Sequence, residues 1–150
     1  MKRIMTVVLM FLVLMTAVPG KAEKTVWVLC QPDSQVNIRS RASGRSEIVG
    51  YAMAGDEFRT DGKTKAGFLH VIAPVEAGEG WISLGYLVWE QPEYVGEMIP
   101  VSGTGRVNAR KTVNGKRRCW VQPGDKIMVY WIAEWAVTDH GFIKAEFIGE

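Results

Sequence analysis

Hydrophobic and polar positions alternate along most of this chain, and one short alternating stretch occurs twice. Val36-Asn37-Ile38-Arg39 has the period of a half-buried strand, and Val107-Asn108-Ala109-Arg110 repeats it. In each copy a Gly-Asp pair follows, Gly55-Asp56 and Gly124-Asp125, ahead of an alternating run. Gly80-Trp81-Ile82 is echoed by Gly141-Phe142-Ile143, and Tyr86-Leu87 by Phe147-Ile148. Four landmarks in the same order, twice, describe two copies of one small β unit.

The runs between these landmarks also read as strands. Lys24 to Leu29 is β-branched and aromatic, a lead-in strand. Gln31-Pro32-Asp33-Ser34 and Asp61-Gly62-Lys63 are turn clusters. Residues 48–53, 57–60, 68–72 and 81–83 read as strands, and Leu84 to Leu87 as a 3₁₀ link into a last short strand. Lys126 to Ile132 is apolar nearly throughout, which suits a strand covered on both faces at the contact between the units. Glu90 to Pro100 has two prolines, three glutamates and little periodicity, and is read as a linker. No long helical periodicity appears after residue 22. The expected fold is all-β: two tandem small β-barrels, residues 23–89 and 101–150, after an N-terminal signal peptide.

The N-terminus carries its own pattern. Lys2 and Arg3 precede an apolar run from Ile4 to Val18, and Gly20-Lys21-Ala22 places small residues two apart. These are the three regions of a secretory signal peptide, residues 1–22, with the mature chain beginning at Glu23. The apolar run is about 15 residues, short of the roughly 20 that span a bilayer as a helix. Localisation is therefore expected to be secreted or in the cell envelope, with no membrane association after signal-peptide removal.

Charge changes the picture only slightly. The full sequence has a net charge of +2. Residues 23–100 hold 7 basic and 11 acidic side chains, while residues 101–150 hold 8 and 5. The basic cluster of the second half, Arg106, Arg110, Lys111, Lys116, Arg117 and Arg118, reads as a solvated face. Nucleic acid is not an expected partner of an exported chain of this balance.

At the repeated landmarks the sequence resembles the bacterial SH3-like (SH3b) family. That family's pattern is a V-N-[VI]-R strand, a small-residue loop, an apolar strand, a Gly-Asp turn, an aromatic-x-x-Val strand, and a Gly-Trp-Ile/Val strand before an aromatic-Leu end. Val36 to Arg39, Gly55-Asp56, Phe68 to Val71, Gly80-Trp81-Ile82 and Tyr86-Leu87 match it closely. The second copy departs from it at Ala109 and Phe142, and Trp135 and Val137 stand one position closer than the pattern has them. The resemblance covers residues 34–89 and 101–149. It implies a groove for cell-wall peptides, or a protein-interaction module.

The candidate chemistry is aromatic surface rather than catalysis. His70 and His140 are the only histidines, one inside an alternating strand and one in a turn signal, and neither belongs to a metal-ligand or nucleophile spacing. No catalytic residue, metal or cofactor is expected. All six Trp and all four Tyr lie beyond residue 22, more than two small barrels bury. The expected ligand-binding residues are Tyr51 and Tyr86 in the first unit and Trp120 and Trp135 in the second, with Arg117 and Arg118 holding a carboxylate. Trp81 and Phe142 are expected at equivalent buried places. Cys30 and Cys119, the only cysteines, are a candidate disulfide between the halves, against the alternative of two buried thiols. The expected function is a non-catalytic exported module binding cell-wall peptide or glycan in the envelope. The alternative is a structural or interaction protein that docks an exported protein partner.

Overall fold

A computed structural model describes residues 22–149. The signal-peptide reading falls on residues 1–22 and so lies almost wholly outside them. The described chain is all-β, with thirteen strands in two sheets. The first contains β1 (Lys24–Val28), β2 (Val36–Arg39), β3 (Ile48–Ala52), β4 (Glu57–Lys65), β5 (Phe68–Ala73), β6 (Gly80–Ser83) and β7 (Leu87–Val88). The second contains β8 (Glu93–Pro100), β9 (Val107–Arg110), β10 (Arg117–Val121), β11 (Lys126–Ile132), β12 (Trp135–Thr138) and β13 (Gly141–Lys144). One-turn 3₁₀ helices, Leu84–Tyr86 and Ala145–Phe147, follow β6 and β13. No helix among the described residues is long and apolar enough to cross a membrane.

The repeat is visible in the pairing. The first sheet runs β3-β2-β6-β5-β4-β1-β7 and the second β10-β9-β13-β12-β11-β8. Strand for strand the order is the same, with β7 added to the first. Residues 93–100 are therefore not a linker. They form β8, the counterpart of the lead-in strand β1, and pair with β11 from Lys126↔Pro100 to Ile132↔Glu93. Tyr94 also closes on Trp131, centroids 5.4 Å apart, so side-chain packing supports the pairing that two prolines hide in the sequence.

Local chemistry explains the shared landmarks. The Asp56 carboxylate accepts the Met53 amide at 2.8 Å, and Asp125 accepts the Gln122 amide at 3.1 Å. Gly55 and Gly124 take φ of 88° and 89°, a region costly for a residue with a Cβ. Arg39 donates to the carbonyl of Ser46 and Arg110 to that of Gly115, both at 2.7 Å, so the last residue of each V-N-x-R strand ties down the loop that follows. A Cβ at Gly80 would run into Ile38, and one at Gly141 into the carbonyl of Arg110. The Gly before the aromatic is thus set by close strand approach. One turn differs from the sequence reading. β4 continues through Asp61-Gly62-Lys63 on a bulge, and the chain reverses at Ala66-Gly67 instead, both at positive φ.

Each sheet encloses its own core. Val26, Val28, Ile38, Phe58, Leu69 and Ile82 fill the first, and Val101, Val107, Ile127, Val129 and Ile143 the second. Each fully buried aliphatic contributes about 1.5–3 kcal/mol relative to exposure. A third cluster joins the units: Leu29 and Val88 from the first, Trp135, Val137 and Phe142 from the second, with Tyr86, Tyr130 and Trp131 packed on it. Across the same junction Gln31 Nε2 donates to the Thr138 carbonyl (3.0 Å) and the Val113 amide to the Gly85 carbonyl (2.9 Å).

Two expectations are corrected here. Trp81 is not core. It occupies the same register as Phe142, opposite Arg39 as Phe142 is opposite Arg110, but it lies on the face away from the buried Ile82. It is half-buried against His70, while Phe142 is 3% exposed because the other unit covers it. Cys30 and Cys119 are free thiols. Cys30 sits in the first core and its thiol contacts the Ser34 carbonyl; Cys119 packs beside the second core and its thiol contacts the His140 carbonyl. They belong to different cores, so no bridge forms.

Candidate functional site

A recess opens beside each V-N-x-R strand, built from equivalent positions. In the first unit Asn37, Arg39, Phe68, Ser83 and Tyr86 line about 220 Å³. In the second Asn108, Arg110, Trp135, Lys144 and Phe147 line about 100 Å³, together with Arg106. The strand Asn and Arg come from β2 or β9, one aromatic from the start of β5 or β12, and the other from the 3₁₀ turn. The same fold that repeats the core therefore repeats this hollow.

The expected site residues fall around these hollows. Tyr51 is 60% exposed on β3, directly across from Asn37, and Trp120 is 49% exposed on β10, directly across from Asn108. Cross-strand partners share a face of the sheet, so each extends the rim of its recess. Tyr86 lines the first recess and also reaches Phe142 across the junction. Arg117 lies over the Trp120 ring at 4.0 Å, and Arg106 lies at 5.3 Å from its centroid. This pairs a cation with the negative face of the indole. Arg118 is exposed and outside that stack.

Trp135 differs from expectation. It is 6% exposed, held in the junction cluster, and so is no free aromatic flag. It instead forms a floor shared by several hollows. Beyond it, a cleft of about 310 Å³ runs between the units, lined by Leu84, Val88, Trp89, Asn114 and Glu134 as well as Trp135. A further hollow joins Asn114, Glu134, Lys144 and Glu146 over the same indole. Trp135 thus lines the second recess, this hollow and the junction cleft alike. Glu134 Oε1 accepts the Trp89 amide at 2.9 Å, while its Oε2 is buried with no hydrogen-bond partner.

Sequence reasoning missed Phe68, Trp89, Arg106, Glu134 and Lys144 as groove residues. Phe68 was recoverable, since aligning the repeats sets it against Trp135. Glu134 gave no signal, because its position depends on how the two units dock.

The histidines stand apart from the groove. His70 is buried between two carboxylates, Nδ1 3.1 Å from Asp61 and Nε2 3.3 Å from Glu79, with its ring on Trp81. The Asp61 contact is an ion-pair distance with poor hydrogen-bond alignment. Desolvation raises the Asp61 carboxyl, but hydrogen bonds from the Lys63 side chain and amide, with the His70 ring beside it, outweigh that and hold the group well below the usual carboxylate range. His140 turns its ring to Asp139 at 2.8 Å, and the Cys119 thiol meets only its backbone carbonyl. Among the described residues no cluster of His, Cys, Asp and Glu has metal-site geometry.

The chain matches no family model and no curated protein. Two solved structures from Trichomonas vaginalis are similar at low level. NlpC1 is 12% identical with a TM-score of 0.37, and NlpC2 is 10% identical with a TM-score of 0.38. The match covers 87% of this chain in each case, and 46% and 49% of those chains, so the protein spans about half their length.

Proposed function

We propose that the protein is a non-catalytic exported module that binds cell-wall peptide or glycan in the cell envelope. One observation carries the reading: the recess beside the V-N-x-R strand is built twice, and in the second unit its Trp135 also lines the cleft walled by Trp89. Extended, concave, aromatic-floored grooves with a few convergent polar groups suit polymers bound without chemistry. The resemblance to the bacterial SH3-like family and the signal-peptide pattern support an envelope location. Each recess is small, so affinity per site is weak, and the two recesses in one chain raise it through effective concentration.

Sedimentation of the purified protein with isolated sacculi tests this. Co-sedimentation that persists at moderate salt is expected. A protein that stays in the supernatant with sacculi of several envelope types refutes the reading. It then favours docking to an exported protein, for which β8, an end strand with Tyr94 66% and Met98 51% exposed, is the available surface.

A further inference from the structure

The two recesses occupy equivalent places and differ in charge. Gln35 precedes one V-N-x-R strand and Arg106 the other. Ser83 pairs with Phe68 as Lys144 pairs with Trp135. Ile48 lies opposite Arg39 as Arg117 lies opposite Arg110. At all three positions the first unit carries a neutral side chain and the second a cation. The first recess is therefore lined by one cation, Arg39, and the second by Arg106, Arg110 and Lys144; no acidic side chain lines either.

The arginines of the second recess are not neutralised from within. Among the described residues no carboxylate lies within 4.0 Å of Arg106, Arg110 or Arg117. Arg110 donates to the Gly115 carbonyl, which leaves other N–H groups of its five unused by that bond. Arg106 and Arg117 lie over the Trp120 ring, 5.3 Å and 4.0 Å from its centroid, and a guanidinium stacked on a ring keeps its N–H edge for an anion. Lys144 stands 3.9 Å from Glu146 and also borders the hollow that holds Glu134, so its charge is partly offset and the two arginines dominate the recess. The recess is about 100 Å³, below the roughly 150 Å³ that holds a benzene ring, so what enters it is one small group and not a sugar. We propose that the second recess is an oxyanion site. It seats a carboxylate or phosphodiester of the wall polymer between Arg106 and Arg110, while the neutral first recess takes an uncharged part. Guanidinium geometry matches both oxyanions. This rests on the wall-binding reading and narrows its ligand to an anionic polymer.

The test is sedimentation of the purified protein with three preparations of sacculi: untreated, with carboxylates amidated by carbodiimide and ammonia, and stripped of phosphodiester-linked polymers by hydrofluoric acid. Untreated sacculi are expected to bind, and at least one treatment to weaken binding about tenfold. Loss on amidation identifies a carboxylate, and loss on acid stripping a phosphodiester. Arg106→Gln with Lys144→Ser gives the second recess the side chains of the first. Both side chains are exposed, and the double variant should bind untreated sacculi as weakly as the wild type binds the blocked ones. The reverse exchange, Gln35→Arg with Ser83→Lys, should raise binding to untreated sacculi severalfold and leave binding to blocked sacculi unchanged. Lys126→Gln removes an exposed charge outside the recess and should leave binding as it is. Wild-type binding that survives both treatments, an unaffected double variant, or an equal loss in Lys126→Gln overturns this inference and leaves the parent reading intact. No sacculus binding at all refutes the parent reading, and this inference with it.

Discussion

Tyr86 and Phe142 meet edge-on across the junction of the two sheets, ring centroids 6.4 Å apart. Tyr86 comes from the 3₁₀ turn of the first unit and Phe142 from β13 of the second. The contact explains why equivalent positions differ in burial. Phe142 gains an aromatic neighbour from the other unit, whereas its counterpart Trp81 packs against His70 of its own unit.

Substitution at these two positions should separate them. Phe142→Ala removes a buried ring and should cost about 3–5 kcal/mol. Trp81→Ala removes a half-buried ring on the outer face and should cost about 1–2 kcal/mol. Urea denaturation measures both, and equal costs would return Trp81 to the core.

Stability should fall in acid through Asp61. Its carboxyl is held below its unfolded value of about 3.9 by Lys63 and His70. A depressed folded pKa means the contribution is complete above the unfolded value and is lost as pH drops below it toward the folded one. Asp61→Asn should therefore flatten the loss of melting temperature below about pH 4. An unchanged acid profile in the variant removes Asp61 as its source.

Both cysteines should count as thiols in unfolded, unreduced protein. In the native protein Cys30 should react slowly, because burial pushes its thiol up and keeps it protonated. A count of zero in the unfolded state would show a bridge the structure lacks.

Trp120→Ala should change stability by less than about 1 kcal/mol, since the ring is half exposed on an end strand. It should weaken sacculus binding severalfold, and Tyr51→Ala should act likewise in the first unit. If the wild type sediments with sacculi and neither variant does so less well, the rims of the recesses are not the contact.

By itself the sequence determined what depends on near neighbours. The two V-N-x-R strands, the Gly-Asp turns with their Asp-to-amide bonds, the alternation of Val36 and Ile38 against Asn37 and Arg39, and the all-β class are short-range consequences of side-chain period and turn chemistry. Tertiary structure decided what depends on partners far along the chain. Two prolines and three glutamates in residues 90–100 give no strand signal, yet β11 supplies a pairing edge and residues 93–100 take it. Trp135 looks like surface until the first unit lies over it, and Glu134 lines the junction cleft only because Trp89 docks against it. Local hydrogen bonds and periodicity are written in consecutive residues. Which outward face is covered is set by packing between units, and no window of the sequence contains both sides of that contact.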